Sequence, residues 1–382
     1  MTTDFTKKWN LPIYYQLRFG EACKRLEKAI ECVQINGWYT KDAFTKSDDI
    51  AQSLRESFGF EIPFFLEVYD ILSWLWQDDV FLKPLTHRFL RGAIQLLGRV
   101  VLFVEDGLKG EIKFGVPPVV ETEEKNDGGE GGEKMTMKKT QVVDNSYFWN
   151  ERIDDVAAVS WDLTILESCI SDAYVTKIAK KIVPINDDNT QGCEHEEVKQ
   201  LVGGALVESS EGISPIIEKI WNEIIVNILT AKCSTPLAAV KGVAATYRMT
   251  NRPPPSQASP FVATILGPLK EFNGNFLSRT PPQVGFEWKR MVVSSIAEKY
   301  CVAVSELTET VQRTEEALKN RKARRAAAGG MSDGEKVKLQ LLLDQKDFYR
   351  YVEEVGVDAQ SVEHVTKLVE LTKSADSLLS KS

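Results

Sequence analysis

Apolar residues recur every three to four positions along almost the whole chain, and alternating strand patterns bounded by turn residues are nearly absent. That periodicity restricts the fold to packed α-helices. The clearest case starts at Ser214-Pro215, an N-cap followed by a proline at the first helical position. It continues through Ile216, Ile217, Ile220, Trp221, Ile224, Ile225, Ile228 and Leu229, which share one face. Burying each contributes about 1.5 to 3 kcal/mol, more than any helix propensity. After Thr280-Pro281-Pro282, the residues Val293, Ala297, Tyr300, Val304, Leu307, Val311, Thr314 and Leu318 alternate spacings of four and three. They predict one long helix near 282–325, about 60 Å from end to end. Ser332 and Glu335 stand three apart, as a capping box requires, ahead of Val337, Leu339, Leu341, Leu342 and Phe348. A last helix carries Val362, Val365, Leu368 and Val369 on one side. Further helices are predicted over 12–35, 62–82, 84–104, 147–182 and 259–277. The expected fold class is all-α, an elongated stack of antiparallel helical bundles forming a helical rod, with no substantial β-sheet.

At 382 residues the chain has room for two or three domains. Residues 117–146 hold no aromatic residue, centre on Gly-Gly-Glu-Gly-Gly and mix Glu with Lys. Such a stretch buries too little apolar area to offset its ordering entropy. It is expected to be a disordered acidic loop between an amino-terminal helical bundle, 1–116, and carboxy-terminal bundles, 147–382. Residues 184–212 are also polar and glycine-rich, with a short helix expected at 198–207. Arg252-Pro253-Pro254-Pro255 reads as a stiff connector ahead of Ser259-Pro260.

The net charge of −8, from 47 basic and 55 acidic residues, lacks the basic excess that a nucleic-acid surface requires. The six cysteines show no C-x-x-C pair, no Asn-x-Ser/Thr acceptor occurs, and the first twenty residues carry charges and Pro12 in place of the apolar run of a secretion signal. These features read as reduced, buried thiols in a cytosolic protein. The most apolar stretch, 62–76, contains Glu67 and Asp70 and falls short of the roughly 20 residues a membrane crossing needs. Any membrane contact is therefore expected to be peripheral.

The motifs of catalysis are missing: there is no GxxxxGK[ST] loop, no GxGxxG after a strand, no G-x-S-x-G, no H-E-x-x-H and no EF-hand loop. Of three histidines, His195 lies in Cys193-Glu194-His195-Glu196-Glu197, read as solvated surface because a structural zinc site wants four well-spaced ligands. His87 reads as a packing histidine, and His364 lies among charges. No catalytic, metal or cofactor-binding residue is assigned, and no cofactor is expected. One basic cluster remains: Lys319, Arg321, Lys322, Arg324 and Arg325 at the end of the long helix. There it complements the helix dipole, or reaches anionic lipid headgroups at about 1 kcal/mol per cation. Trp74 and Trp76, beside Asp78-Asp79, are candidate partner anchors, with core packing as the alternative because Phe64, Phe65, Tyr69 and Leu72 continue their face.

Four stretches in order resemble one family. They are Lys8-Trp9-Asn10-Leu11-Pro12-Ile13-Tyr14-Tyr15-Gln16-Leu17-Arg18-Phe19, then Asp79-Val80-Phe81-Leu82-Lys83-Pro84-Leu85-Thr86-His87-Arg88-Phe89. Pro255-Ser256-Gln257-Ala258-Ser259-Pro260-Phe261-Val262 follows, and then Asp333 through Lys336-Val337-Lys338-Leu339-Gln340-Leu341 to Asp344. Together they resemble the carboxy-terminal region of the second subunit of the conserved oligomeric Golgi complex. The resemblance implies a non-enzymatic subunit of a helical-rod vesicle-tethering complex, peripheral on the cytosolic face of the Golgi and supporting retrograde traffic and glycosylation. It implies the other subunits of the complex as partners, with SNARE proteins, Rab GTPases and golgin tethers as further contacts. Members of that family carry a long amino-terminal coiled-coil half ahead of the first stretch, so the chain is expected to be a fragment. A peripheral membrane-binding module using residues 319–325 is the competing reading.

Overall fold

The computed structural model describes residues 10–40, 58–115, 146–183, 189–210, 212–248, 250, 252–322 and 331–381. Among the described residues there are helices and no strand, and one isolated antiparallel bridge pairs Phe114 with Tyr147. The chain divides into two compact units, Met1–Ile217 and Glu218–Ser382.

In the first unit, helix α1 (Leu11–Asn36) begins where the Asn10 side chain accepts from Ile13 N at 3.3 Å, and Pro12 sits at its start. It stops at Gly37, whose φ of 86° suits glycine and whose missing Cβ leaves space for the Tyr147 hydroxyl, 2.8 Å from that position. Helix α2 (Pro63–Trp74) has no local cap. Instead Asp162, a hundred residues away, accepts from Glu61 N at 3.0 Å and Ile62 N at 2.7 Å. A carboxylate at a helix N-terminus satisfies orphan donors and meets the positive end of the dipole. Helix α3 (Thr86–Leu108) packs on α1; α4 (Ile153–Cys169) packs on α2; α5 (Val175–Ile182) and α6 (Asn189–Ser210) pair with each other. Helix α6 is longer than the short helix expected at 198–207. Its buried stripe, Val202 and Leu206, is thin, and the pairing with α5 supplies the packing that a polar sequence lacks by itself.

The core of this unit is built around Trp38, 1% exposed, whose ring meets Phe64, Phe65, Phe103, Phe114 and Trp149 at centroid distances of 5.2 to 5.9 Å. Several are edge-on, the arrangement a ring quadrupole favours. Phe114 and Trp149 flank the stretch that the sequence reads as an inter-domain loop. Almost all of that stretch, 117–146, lies outside the described residues; the helices on either side of it share one core, and the division between units falls at 217/218 instead.

The second unit opens inside a helical run. Helix α7 (Ile213–Lys219) passes into a π-helical turn, Ile220–Ile225, then α8 (Val226–Ser234). A π-turn adds a residue and rotates the face. Ile216, Ile217, Ile220, Trp221, Ile225 and Leu229 are buried as expected, whereas Ile224 and Ile228 are rotated to partial exposure and Val226 turns inward in their place. By length and composition the run Ile213–Tyr247, unlike the shorter stretch at 62–76, could cross a membrane. Ile216, Ile217, Ile220, Trp221, Ile225 and Leu229 of that run are buried in the protein's own core.

Helix α9 (Gly242–Tyr247), α10 (Val262–Ile265) and α11 (Gly267–Phe276) lead to α12 (Glu287–Lys322), 36 residues and about 54 Å long. Its stripe from Val293 to Val311 is buried as expected, while Thr314 is exposed; the Leu318 side chain lies outside the described residues. Helix α13 (Asp333–Glu354) starts with both halves of the predicted box: Glu335 N donates to Ser332 Oγ at 3.1 Å and Ser332 N to Glu335 Oε2 at 2.8 Å. Helix α14 (Glu363–Thr372) buries Val365 and Leu368 against α12 and α13.

Candidate functional site

The two signature stretches of the first unit meet each other. Tyr14 donates its hydroxyl to Val80 O at 2.7 Å, and Tyr15 sets its ring edge-on to Phe89 at 5.5 Å. A Cβ at Gly92 would stand 2.8 to 2.9 Å from the Tyr15 hydroxyl and the Phe19 ring, so glycine is what permits this approach. Lys8 and Trp9 lie outside the described residues. The next helix is held by charge. Arg25 on α1 spans Glu67 at 2.6 Å and Asp70 at 2.9 Å on α2, answering the two carboxylates that interrupt the apolar stretch at 62–76.

The other two stretches also meet. Lys336, Gln340 and Asp344 are spaced by four on α13 and form one polar stripe along it. Lys336 Nζ donates to Arg252 O at 2.8 Å, and Gln340 Nε2 donates to Gln257 O at 2.9 Å while its Oε1 accepts from Tyr247 at 2.7 Å. Asp344, fully buried, accepts from Ser259 N at 2.6 Å, Ser259 Oγ at 2.9 Å and Gln340 Nε2 at 2.9 Å. Burial pushes its carboxyl above the ordinary range, and the three hydrogen bonds oppose that shift. The proline connector at 252–259 is thus strapped across α13.

These polar signature residues are committed to contacts within the chain. Cys169, Cys233 and Cys301 are buried thiols pushed up to about 11 by desolvation, so none is a ready nucleophile at neutral pH, whereas Cys23 and Cys32 on α1 are only partly buried, contrary to the burial expected of them. Among the described residues no three His, Cys, Asp or Glu side chains cluster as metal ligands. His195 Nδ1 lies 3.1 Å from Val183 O, at the end of α5, and is buried, contrary to the solvated surface expected of it; the Cys193 side chain is outside the described residues. His87 is exposed, not packed, because it faces away from Phe89 on the first turn of α3. Val302 and Glu306 on α12, with His364 and Lys367 on α14, line an open groove.

Residues 7–345 match the family described as COG complex component, COG2, C-terminal. The chain belongs to that family. It is 26% identical to conserved oligomeric Golgi complex subunit 2 of Homo sapiens over 97% of this chain and 48% of that protein. The corresponding proteins of Dictyostelium discoideum and Arabidopsis thaliana are each 24% identical, over 94% and 98% of this chain and 42% and 45% of theirs. The chain therefore spans about half the length of the curated relatives it matches. No solved structure matches it.

The candidate contact residues of this COG2 carboxy-terminal region separate. Trp76 is fully buried and its Nε1 donates to Tyr174 Oη at 2.7 Å, so its indole has no surface to offer a partner; the helix ends at Trp74, and the chain turns Trp76 back into the core. Trp74 is half-buried with the Arg25 guanidinium 5.9 Å above its ring. Lys319, Arg321 and Lys322 fall in the last turn of α12, their side chains outside the described residues, as are Arg324 and Arg325 altogether. Ile13 and Leu17, inside the first signature stretch, were not singled out by sequence. They are 51% and 69% exposed, one turn apart on α1. The signal was an excess: Leu11, Ile13, Tyr14, Tyr15, Leu17 and Phe19 are too many apolar residues for one helical face.

Proposed function

We propose that this chain works as a non-enzymatic, protein-binding part of a Golgi vesicle-tethering complex, on the cytosolic face, in retrograde transport within the Golgi and the glycosylation that depends on it. The observation that carries the reading is the family match over residues 7–345. Burial of Cys169, Cys233 and Cys301 and the use of the polar signature residues as intramolecular clamps are in keeping with a binding role. Its partners in this reading are the other subunits of the complex, with SNARE proteins, Rab GTPases and golgin tethers as further contacts.

Tagged full chain, recovered from cytosol and read by mass spectrometry, tests this. Enrichment of tethering-complex subunits, SNAREs or Rabs over a tag-only control is expected. A chain that is folded by circular dichroism and enriches none of them would overturn the proposal. The cluster Lys319, Arg321, Lys322, Arg324 and Arg325, near the end of a helix of about 54 Å, is proposed as a contact for anionic headgroups. Salt-sensitive binding to phosphatidylserine vesicles that vanishes on charge reversal of the five residues is the expected result, and binding indifferent to that change would remove the cluster from the function.

A further inference from the structure

We propose that Ser259 is a phosphorylation site for a proline-directed protein kinase, and that its modification opens the strap that residues 252–259 form across α13. Four Ser-Pro or Thr-Pro steps occur in the sequence, at Ser214, Thr235, Ser259 and Thr280. A kinase cleft takes its substrate as extended chain with the following proline accessible. Ser214 lies within α7 and Thr235 begins a 3-10 helix, Thr235–Lys241. Thr280 is followed by a buried proline, Pro281. Only Ser259 is preceded by a non-helical stretch and followed by an exposed proline: Arg252, Pro253, Pro254, Ser256, Gln257 and Pro260 are exposed, Ala258 and Ser259 are partly exposed, and Pro255 is buried. The proline run holds that stretch extended, and Pro260 disfavours helix at Ser259 itself.

What the modification would meet is unusual. Ser259 supplies two of the three hydrogen bonds that hold the buried Asp344 carboxylate, at 2.6 and 2.9 Å. No ion pair to Asp344 forms among the described residues. In the transfer, Ser259 Oγ attacks the γ-phosphorus of a nucleoside triphosphate and the new O–P bond forms. The bond from that phosphorus to the β,γ-bridging oxygen breaks, the nucleoside diphosphate leaves, and the hydroxyl proton passes to the kinase's base. The O–H donor is lost, and a group of charge near −2 replaces it beside a carboxylate with little solvent to screen it. Like-charge repulsion then drives Ser259 off α13, and the bonds of Gln257 to Gln340 and Arg252 to Lys336 are released with it.

The test is to treat the full chain with a proline-directed kinase and ATP, locate the phosphate by mass spectrometry and follow amide exchange over 252–262. Phosphate is expected on Ser259 ahead of the other three sites, with exchange at Ser259 and the following turn faster by about tenfold or more. Two substitutions separate charge from the mere loss of a hydrogen bond: Ser259→Asp should open the strap well beyond Ser259→Ala. In Asp344→Asn, phosphorylation should accelerate exchange less than in the parent chain. A Ser259 that the kinase leaves unmodified, a phosphorylated Ser259 with unchanged exchange, or equal effects of Asp and Ala would each overturn the proposal.

Discussion

At Trp76 the chain resolves an ambiguity that its neighbours could not. The indole bond to Tyr174, which in turn donates to Leu72 O at 3.2 Å, ties α2 to the π-turn Ile170–Tyr174. Trp76→Phe keeps a ring and removes the donor. It should lower unfolding free energy by about 2 kcal/mol in a urea titration, and an unchanged midpoint would show that the bond carries no stability. Asp155 makes a different kind of statement. Burial pushes its carboxyl up to about 6 from 3.8, with Arg152 pulling the other way and Asp154 adding to the rise. Between about pH 4 and 6 the folded chain keeps a proton that the unfolded chain has lost, so this group's contribution is greatest below that window, falls as pH rises through 6 and is level above. Asp155→Asn should therefore be more stable than the parent at pH 7, with the difference shrinking to nothing near pH 4. A difference that stays constant from pH 4 to 7 would place the shift elsewhere.

Among the elements, the π-turn at Ile220–Ile225 is where periodicity and structure part company. A strict 3.6 period puts Ile220 and Ile224 on the same face, but the inserted residue carries Ile224 away and brings Val226 in. Ile220→Ala should therefore cost about 2 to 5 kcal/mol, as deletion in a packed core does, and Ile224→Ala under about half of that. Chemical denaturation of both variants decides it, and equal losses would restore the regular helical face. The capping box at Ser332 and the proline start of α1 were legible from sequence because both are local, made of residues within three positions. The cap of α2 was not, since its carboxylate, Asp162, comes from a helix a hundred residues on.

For the whole molecule, the ring cluster around Trp38 matters most. It draws Phe64, Phe65 and Phe103 from before residues 116–145 and Trp149 from after them, while the antiparallel bridge Phe114–Tyr147, with N···O distances of 2.8 and 2.9 Å, pins the two ends of that stretch together. Cutting the chain within 117–145 should leave two pieces that remain associated when co-expressed, whereas 1–116 alone should aggregate, its aromatic core uncovered. Separation of co-expressed pieces on size-exclusion chromatography would mean that each half folds alone, as two domains with the boundary first read there.

Sequence alone determined that the chain is helical, where most helices lie and, through four ordered stretches, the family. Each of these depends on short-range period, capping chemistry or residue identity, which a linear chain displays directly. Tertiary structure decided the rest. It showed that the four stretches form two intramolecular pairs, that Trp76 belongs to the core and that the apolar face turns at Ile224. It also set the residues flanking 116–145 in one core. These outcomes depend on which distant side chain fills which space and answers which polar group. Tyr14 with Val80, Ser259 with Asp344 and Trp76 with Tyr174 are joined by hydrogen bonds across 66, 85 and 98 positions, and no local pattern records them.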